Sequence, residues 1–359
     1  MEQIKELDFS GQRIWVGIDV HLKRWRVSIM VGDLYQKGFS QQADVQQLIN
    51  YLHKHYPKGD YVCCYEAGFS GFWAYEELVK AGIACKVAHA SDIPTTDKEK
   101  RQKTDPRDSR KIVRELSKGG IEGIYIPHRE ALQARSLVRA RYKIAKDSQR
   151  AKNRIKSHLY FYGYHRGIPA ELGYWSKRYI NYLSELASTN RDQGLVLLIE
   201  ELNQLRQLQV RALKQLRQLS RCEPYQELVV LLKSVPGVGL LTAMVVLTEL
   251  MDINRFKKLD HLCSYAGLIP QTSSSGESQR VGSMTKRGNT QLKKALIESA
   301  WVAIQRDPAL ALAYQKAKNR YASNDSQAKN KTIVKIARKL LNRIRFVWKN
   351  RQEYETGKP

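Results

Sequence analysis

The sequence predicts an α/β N-terminal region followed by a long, mainly helical remainder. Three observations carry this. Residues 13–90 alternate short apolar strands with amphipathic helical segments; after residue 128 glycine becomes scarce and helical patterns lengthen; a further helical region runs from 226 to a basic amphipathic segment at 335–351.

Taken in order, IWVGIDV (14–20) is a continuous apolar strand interrupted by one Asp. WRVSIMV (25–31) places Trp25, Val27, Ile29 and Val31 on one face, the pattern of a half-buried strand. Gly32-Asp33 marks a tight turn into LYQKGF (34–39). Val45, Leu48, Ile49 and Leu52 form the apolar face of a helix. YVCCYEA (61–67) is a strand, FWAYEELVKAG (72–82) a helix closed by Gly82, and ACKVAHA (84–90) a strand. A strand meander followed by helix, strand, helix, strand is the order of a ribonuclease-H-like fold. DIPTTDKEKRQKT (92–104) reads as a mobile loop, Asp105-Pro106 opens a helix, and IEGIYIP (121–127) is expected to be a last strand.

Beyond that point, residues 129–156 hold ten Lys or Arg against two acids. Residues 195–219 carry a heptad of Leu195, Leu198, Leu202, Leu205, Gln209, Ala212, Leu216 and Leu219, which suits a coiled coil within the chain or between protomers, or equally the buried face of a helical hairpin. LLKSVPGVGLLTAMVVLTEL (231–250) opens the next helical region, a Ser/Thr/Gly-rich loop covers 271–289, and KIARKLLNRIRFVWKNR (335–351) turns Ile336, Leu340, Ile344 and Val347 to one side. The expected division is 1–127 (α/β), 128–225 (basic, helical), 226–351 (mainly helical) and a tail, 352–359.

Composition narrows the partners. With 61 Lys and Arg against 35 Asp and Glu, the 359-residue chain has a formal charge of +26, and nucleic acid is the leading polyanion for such a field. Cys63, Cys64, Cys85, Cys222 and Cys263 contain no CxxC pair, which argues against a zinc ribbon or a disulfide framework. The opening MEQIKELDFSG is polar and no apolar run spans a bilayer, so a cytoplasmic, soluble protein with no membrane partner is expected.

Four acids stand out. Asp19 sits inside an apolar strand, Glu66 ends another, and Asp105 and Asp108 share one face of a helix start. In a ribonuclease-H-like sheet the first and fourth strands are neighbours, so the four converge on an oxygen-rich pocket suited to Mg²⁺. Two such ions about 4 Å apart stabilise the entering and leaving oxygens of phosphoryl transfer. Each acid also has a plainer reading: Asp19 paired with a base, Glu66 capping a turn, Asp105 an N-cap, Asp108 complementing the helix dipole.

Nucleic-acid contacts are expected from Arg135, Arg139, Lys143, Lys146, Arg150, Lys152 and Arg154 of the basic helix, and from Gly237 and Gly239. In Val235-Pro236-Gly237-Val238-Gly239, backbone N–H groups at a helix start would approach a phosphate as in a helix-hairpin-helix turn; a compact packing turn is the alternative. Tyr160, Phe161, Tyr162 and Tyr164 follow the basic helix and suit either base stacking or a core or interface role, the second being the commoner.

The strings GIDVH (17–21), YEAG (65–68) and KTDPRDSRKI (103–112) resemble the Asp-Glu-Asp-Asp transposases of bacterial insertion sequences, whose N-terminal domain is like the RuvC Holliday-junction resolvase. SVPGVGLLTA (234–243), FKKLDHLCSYAGLIP (256–270) and SSGESQRVGSMTKRGNTQLKKALIESAW (274–301) are similar to that family's second domain. The resemblance covers nearly the whole chain in matched order. It implies a DNA recombinase guided by a non-coding bridge RNA, with Asp19, Glu66, Asp105 and Asp108 as metal-binding acids. It implies Ser275 as the nucleophile that forms a covalent 5′-phosphoserine link, although Ser273, Ser274, Ser278 and Ser283 lie close by. Arg280, Lys286 and Arg287 are placed to hold phosphate oxygens. It further implies a homo-oligomer, dimer to tetramer, whose active site is composite, with acids and serine from different protomers. A Holliday-junction-type endonuclease that uses the same acids to activate water is the alternative, and a non-catalytic nucleic-acid-binding protein a third reading.

Overall fold

The computed structural model describes residues 7–94, 105–275, 278–285, 287–322 and 325–356; the side chains of 105, 106 and 271–283 lie outside the described set. The chain divides into two compact units, Met1–Ile126 and Pro127–Pro359.

In the first unit, β1 (Arg13–Asp19), β2 (Arg24–Val31), β3 (Leu34–Gln42), β4 (Asp60–Glu66) and β5 (Ala84–Ala88) form one sheet in the order β3-β2-β1-β4-β5. The first three strands are an antiparallel meander, while β4 and β5 run parallel to β1. Ile14, Val16 and Ile18 of β1 and Cys63 and Tyr65 of β4 share one core with α1 (Val45–His55) and α2 (Trp73–Lys80). Asp44 caps α1 by accepting from the backbone N–H groups of Gln46 and Gln47.

The opposite face is covered as well. There α3 (Asp105–Ser117) sets Ile112 and Leu116 among Cys64, Ala88, Ile93 and Ile121, with Trp15 and Val62 against them. The half-buried strand expected at 25–31 is therefore buried on both faces: Trp25, Val27 and Ile29 face α1 and α2, and Ser28 and Met30 are buried too. The strand expected at 121–127 is absent. That segment meets β5 through one backbone hydrogen bond, from Ile124 N to Val87 O (2.8 Å), and Ile121 fills the α3 core as part of an irregular connection.

Gly17 is the pivot of the α3 contact. A Cβ there would lie 2.5 Å from the carbonyl oxygen of Ser109 and 2.6 Å from the backbone nitrogen of Val113, so only a glycine lets this helix lie directly on β1. Beside it, Ser28 and Ser109 share a buried hydroxyl hydrogen bond of 2.9 Å.

In the second unit, α4 (Arg129–Phe161) and α6 (Gln193–Leu219) pack along each other, with α5 (Lys177–Thr189) against α6. Their far ends form a small core of Ala151, Ile155, Leu159, Tyr179, Leu183, Leu195, Ile199 and Leu202. The near ends, through Ala134, Val138 and Leu216, join the large core of α7 (Gln226–Lys233), α8 (Leu240–Leu250), α9 (Leu259–Tyr265), α10 (Thr290–Arg306), α11 (Pro308–Lys318) and α12 (Ala328–Asn350). The apolar face of 195–219 is thus buried inside the chain against α4 and α5. Ile199 replaces Leu198 as the buried residue, and Leu198 and Leu205 are only partly covered. On α12, Ile336, Leu340, Ile344 and Val347 are buried as expected.

The Ser/Thr/Gly-rich stretch expected to be a loop contains a two-stranded antiparallel hairpin, β6 (Pro270–Ser275) and β7 (Ser278–Met284), in which Ser275 opposes Ser278. The tail is engaged too. Asp307 caps α11 through the N–H groups of Ala309 (2.9 Å) and Leu310 (3.3 Å), pairs with Arg343 of α12, and accepts from the Tyr354 hydroxyl at 2.7 Å. Burial alone would raise this carboxyl; the Tyr354 and backbone hydrogen bonds and Arg343 outweigh it and hold the group below its ordinary value.

All five cysteines are free, and burial pushes the Cys64 thiol up to about 12, which keeps it protonated and unreactive. Among the described residues no helix is long and apolar enough to cross a membrane.

Gly17→Ala is expected to destabilise the protein by about 1–3 kcal/mol, because the obstructing atoms are backbone and α3 must move. Urea unfolding would show the loss; an unchanged midpoint would mean that α3 does not rest on β1 as described.

Candidate functional site

The alternation of side chains along a strand settles which face each acid takes. Asp19 has the parity of Trp15 and Gly17, and Glu66 that of Val62 and Cys64, so both belong to the face covered by α3. Ile18 pairs with Tyr65 in the parallel β1–β4 register, and Asp19 and Glu66 are the next residues on each strand. Two carboxylates thus end neighbouring strands at the same edge. The Asp19 side chain is 20% exposed, with its Oδ2 3.2 Å from His21 Nε2, while Glu66 is exposed.

The direction of α3 follows from its contacts. Ser109 and Val113 lie over Gly17, and the Ser117 hydroxyl reaches Met30, the partner of Trp15. The helix therefore runs antiparallel to β1, and its first turn, with Asp105 and Asp108, starts toward the Asp19–Glu66 edge. Glu66 pairs with Ala88, so His89, the residue after β5, belongs to the same edge. Across β1, Asp19 pairs in register with Arg26, whose Nη1 donates to Ser40 Oγ at 3.3 Å. Sequence reasoning passed over His21, His89 and Arg26. The GIDVH string held the only signal, a histidine two residues past the acid, and nothing local marks the other two.

Among the described side chains, no group of three or more His, Cys, Asp or Glu is gathered closely enough to hold a metal ion; Asp105 lies outside that set. The donors are nevertheless of the right kind: carboxylates at one open edge suit a hard divalent cation, which keeps several waters and needs few protein ligands.

In the second unit, Ser275 is the last residue of β6 and pairs in register with Ser278, the first of β7. Its side chain and that of Arg280 in β7 lie outside the described set, as does the whole of Lys286. Arg287 is exposed, its backbone N–H donating to Thr285 Oγ1 at 3.1 Å.

The basic helix α4 is not uniform, and several of its bases have partners within the chain. Glu249 of α8 is fully buried and takes a two-pronged hydrogen bond from Arg139, Nε to Oε1 and Nη2 to Oε2, both 2.8 Å. Arg135 Nε lies 3.6 Å from Oε2, and Arg135 also donates to the backbone oxygens of Thr248 (3.0 Å) and Glu249 (3.2 Å). Asn289, which caps α10, donates to Oε2 at 2.6 Å, and the Tyr265 hydroxyl donates to the Glu249 carbonyl at 3.0 Å. Arg135 and Arg139 thus neutralise a buried acid and hold α4, α8, α9 and the start of α10 together.

Lys152 packs over the Trp175 ring; burial, with Arg206 and Lys156 nearby, lowers its pKa. Arg150 pairs with Asp147 at 2.8 Å, and Arg154 pairs with Glu201 of α6. Lys143 and Lys146 are exposed. Gly237 is a packing residue: at φ +85°, a Cβ would lie 2.3 Å from the Ser299 carbonyl oxygen. Gly239, the N-cap of α8, has open space where a Cβ would stand.

Two family models match the chain. One, described as "Transposase IS116/IS110/IS902 family", matches residues 229–315, and the other, for the DEDD transposases of IS110, matches residues 16–163. A putative transposase (y4rJ) of Sinorhizobium fredii is 30% identical over 302 residues, covering 77% of this chain and 74% of the relative. The transposase for insertion sequence element IS1533 of Leptospira borgpetersenii is 26% identical over 309 residues, covering 81% and 85%. A second putative transposase of S. fredii (y4qE) is 28% identical over 243 residues, covering 66% of this chain and 57% of the relative's length.

Replacing Lys143 and Lys146 together by Ala is expected to weaken duplex DNA binding without changing stability. The slope of log affinity against log salt should fall by about 1 for each lysine that neutralises a phosphate. Glu249→Ala is expected to cost about 3 kcal/mol in urea unfolding, because two arginines lose their buried partner. A stable Glu249→Ala protein would return Arg135 and Arg139 to the ligand-binding surface.

Proposed function

The chain belongs to the IS116/IS110/IS902 family of transposases, and from that premise we propose that it cuts and rejoins DNA strands by metal-assisted phosphoryl transfer. The observation that supports this reading is the agreement of parity and direction at one sheet edge: Asp19 and Glu66 end adjacent parallel strands on the α3 face, and α3 begins toward that edge. Asp19, Glu66, Asp105 and Asp108 are the proposed Mg²⁺ ligands. Bound there, the ion would neutralise charge on the phosphoryl oxygens and assist a weak nucleophile. His21 beside Asp19 would orient that carboxylate.

Ser275 is the proposed nucleophile. Its Oγ attacks phosphorus and the bond from phosphorus to the 3′ oxygen breaks. The serine proton passes to solvent or a base, and the 3′ oxygen takes up a proton to leave as a hydroxyl. The product is a 5′-phosphoserine link. A 3′-hydroxyl from a second strand then attacks the same phosphorus, releases Ser275 and closes a new phosphodiester, so the bond energy is conserved throughout. Arg280, Lys286 and Arg287 would hold phosphate oxygens, with Lys143, Lys146 and the N–H groups after Gly239 as further backbone contacts. A homo-oligomer whose acids and serine come from different protomers, and guidance by a non-coding bridge RNA, complete the proposal.

One observation favours a second reading. Asp19, Glu66, Asp105 and Asp108 all belong to one unit, and a nuclease that activates water needs nothing from the serine hairpin. A denaturing gel of the protein incubated with Mg²⁺ and DNA bearing the element's ends decides between them. A covalent adduct is expected in the wild type and none in Ser275→Ala or Asp19→Ala, with melting and gel shifts unchanged. Free cut ends from wild type and Ser275→Ala alike would establish hydrolysis. An adduct that survives Ser275→Ala would dismiss Ser275 as the nucleophile.

A further inference from the structure

The sheet face that carries the acids of the first unit also carries a row of bases, which the proposed chemistry leaves unused. The row lies where the sheet runs out from under α3. That helix covers β1, β2 and part of β4, and β3 is the edge strand beyond them. Ser28 bonds to Ser109 of α3, so Arg26 and Arg24, two and four residues earlier on β2, share its face. Their register partners on β3 are Ser40 and Gln42, both exposed. On its other side Arg26 has Asp19 as its register partner.

Arg26 is half-buried, and its guanidinium leans toward β3. Its Nη1 donates to the Ser40 hydroxyl at 3.3 Å, a long bond, and its Nε is buried with no hydrogen-bond partner among the described residues. A buried donor left unpaired costs more than one such bond returns, so packing alone does not account for an arginine here. Gly38 makes the room. A Cβ there would stand 2.5 Å from the Tyr35 hydroxyl and 3.3 Å from Arg26 Nη2. The same hydroxyl accepts from Arg110 Nε of α3 at 3.0 Å, and the Arg110 guanidinium lies 4.7 Å from the Tyr35 ring centre. Two cations are thus fixed about one tyrosine, with Arg24 exposed on the same face. Like charges held together repel, and an anion between them removes that cost.

We propose that Arg24, Arg26 and Arg110 form a ledge that holds phosphates of the DNA chain being cut, on the β3 side of the cut. The sign of charge directs this assignment. Asp19 and Glu66 end β1 and β4, and Asp105 and Asp108 begin α3, so that edge suits a cation. On β2 and β3 the ledge combines Arg24, Arg26 and Arg110 with the neutral Tyr35, Ser40 and Gln42; Asp33 and Asp44 lie beyond the two ends of β3. Two strand spacings, about 10 Å, separate β1 from β3. A DNA chain with one phosphate at the Asp19 edge would therefore lay its neighbouring phosphates along the ledge. A guanidinium fork takes two phosphate oxygens at once, and the Nε and Nη2 side of Arg26 is such a fork. The assignment rests on the reading above, in which the acid edge is where DNA is cut.

The test uses duplexes bearing the element's ends, each with one phosphate near the cut replaced by a neutral methylphosphonate. Binding to the full-length protein is read by fluorescence anisotropy in Ca²⁺, and cutting on a denaturing gel in Mg²⁺. With wild type, one or two replacements on one side of the cut are expected to weaken both roughly ten- to a hundredfold. Arg26→Ala should lose as much on the unmodified duplex, with its melting unchanged, and the same replacements should then cost nothing further. Arg26→Lys should recover part of the loss, since it restores the charge but not the fork. Should Arg26→Ala melt early, Arg110→Gln, at an exposed position, carries the same test at a neighbouring phosphate. Losses that multiply independently at every phosphate overturn the proposal, because the base then touches none of them; so does binding that neither variant alters. Coupling in binding without any cutting by wild type would defeat the strand-cutting reading and leave the ledge standing. Cutting without coupling would remove the ledge alone, and a wild type that binds none of the duplexes would remove both.

Discussion

The missing side chain at Gly17 is the constraint on which the candidate site depends. A helix resting on a sheet ordinarily stands off by the thickness of its side chains. Here the backbone of Ser109 and Val113 occupies the space a Cβ would take, so α3 is held down at one residue of β1. The Ser28–Ser109 hydroxyl pair then satisfies two polar groups that the close contact buries. Holding the helix at that point, with its axis antiparallel to β1, aims its first turn at the strand ends. Asp19 and Glu66 are there because β1 and β4 are parallel neighbours in a register that ends them together.

The second unit relies on a different device. Its large core encloses two acids, Glu249 and Asp307, both buried and both paired with arginine. A buried ion pair adds little net stability over a hydrophobic substitute, but removing one partner is costly. These pairs therefore act mainly by allowing one arrangement. Glu249 fits only when α4, α8, α9 and the cap of α10 meet; Asp307 fits only when α12 and the tail reach the start of α11. The serine hairpin precedes α10 directly, so the residues that fix the α10 cap also fix the hairpin's root.

This division of labour explains why the long basic helix misleads when read alone. Its bases share one composition and one periodicity, yet Arg139 serves a buried acid 110 residues away in the chain while Lys143, one turn on, faces solvent. The heptad misleads for a similar reason. A helix that passes through two cores shows its apolar face to different neighbours along its length, and Ile199 is buried where a strict repeat would choose Leu198.

By itself the sequence determined the elements with strong local signals: the meander from its alternation and Gly32-Asp33 turn, α1 from its apolar spacing, the start of α3 from Asp105-Pro106, and the buried side of α12. It also singled out Asp19 and Glu66, because an acid in an apolar strand conflicts with its surroundings wherever the strand packs. Tertiary structure alone decided that 121–127 stays out of the sheet, that the serine stretch forms a hairpin, that Gly237 packs, and which arginines are taken up inside. Each of those outcomes depends on a partner far away in the chain: a strand edge offering a hydrogen bond, a helix backbone at contact distance, or a buried carboxylate. Local sequence encodes the propensity of a segment, and these partners exist only after the chain has folded.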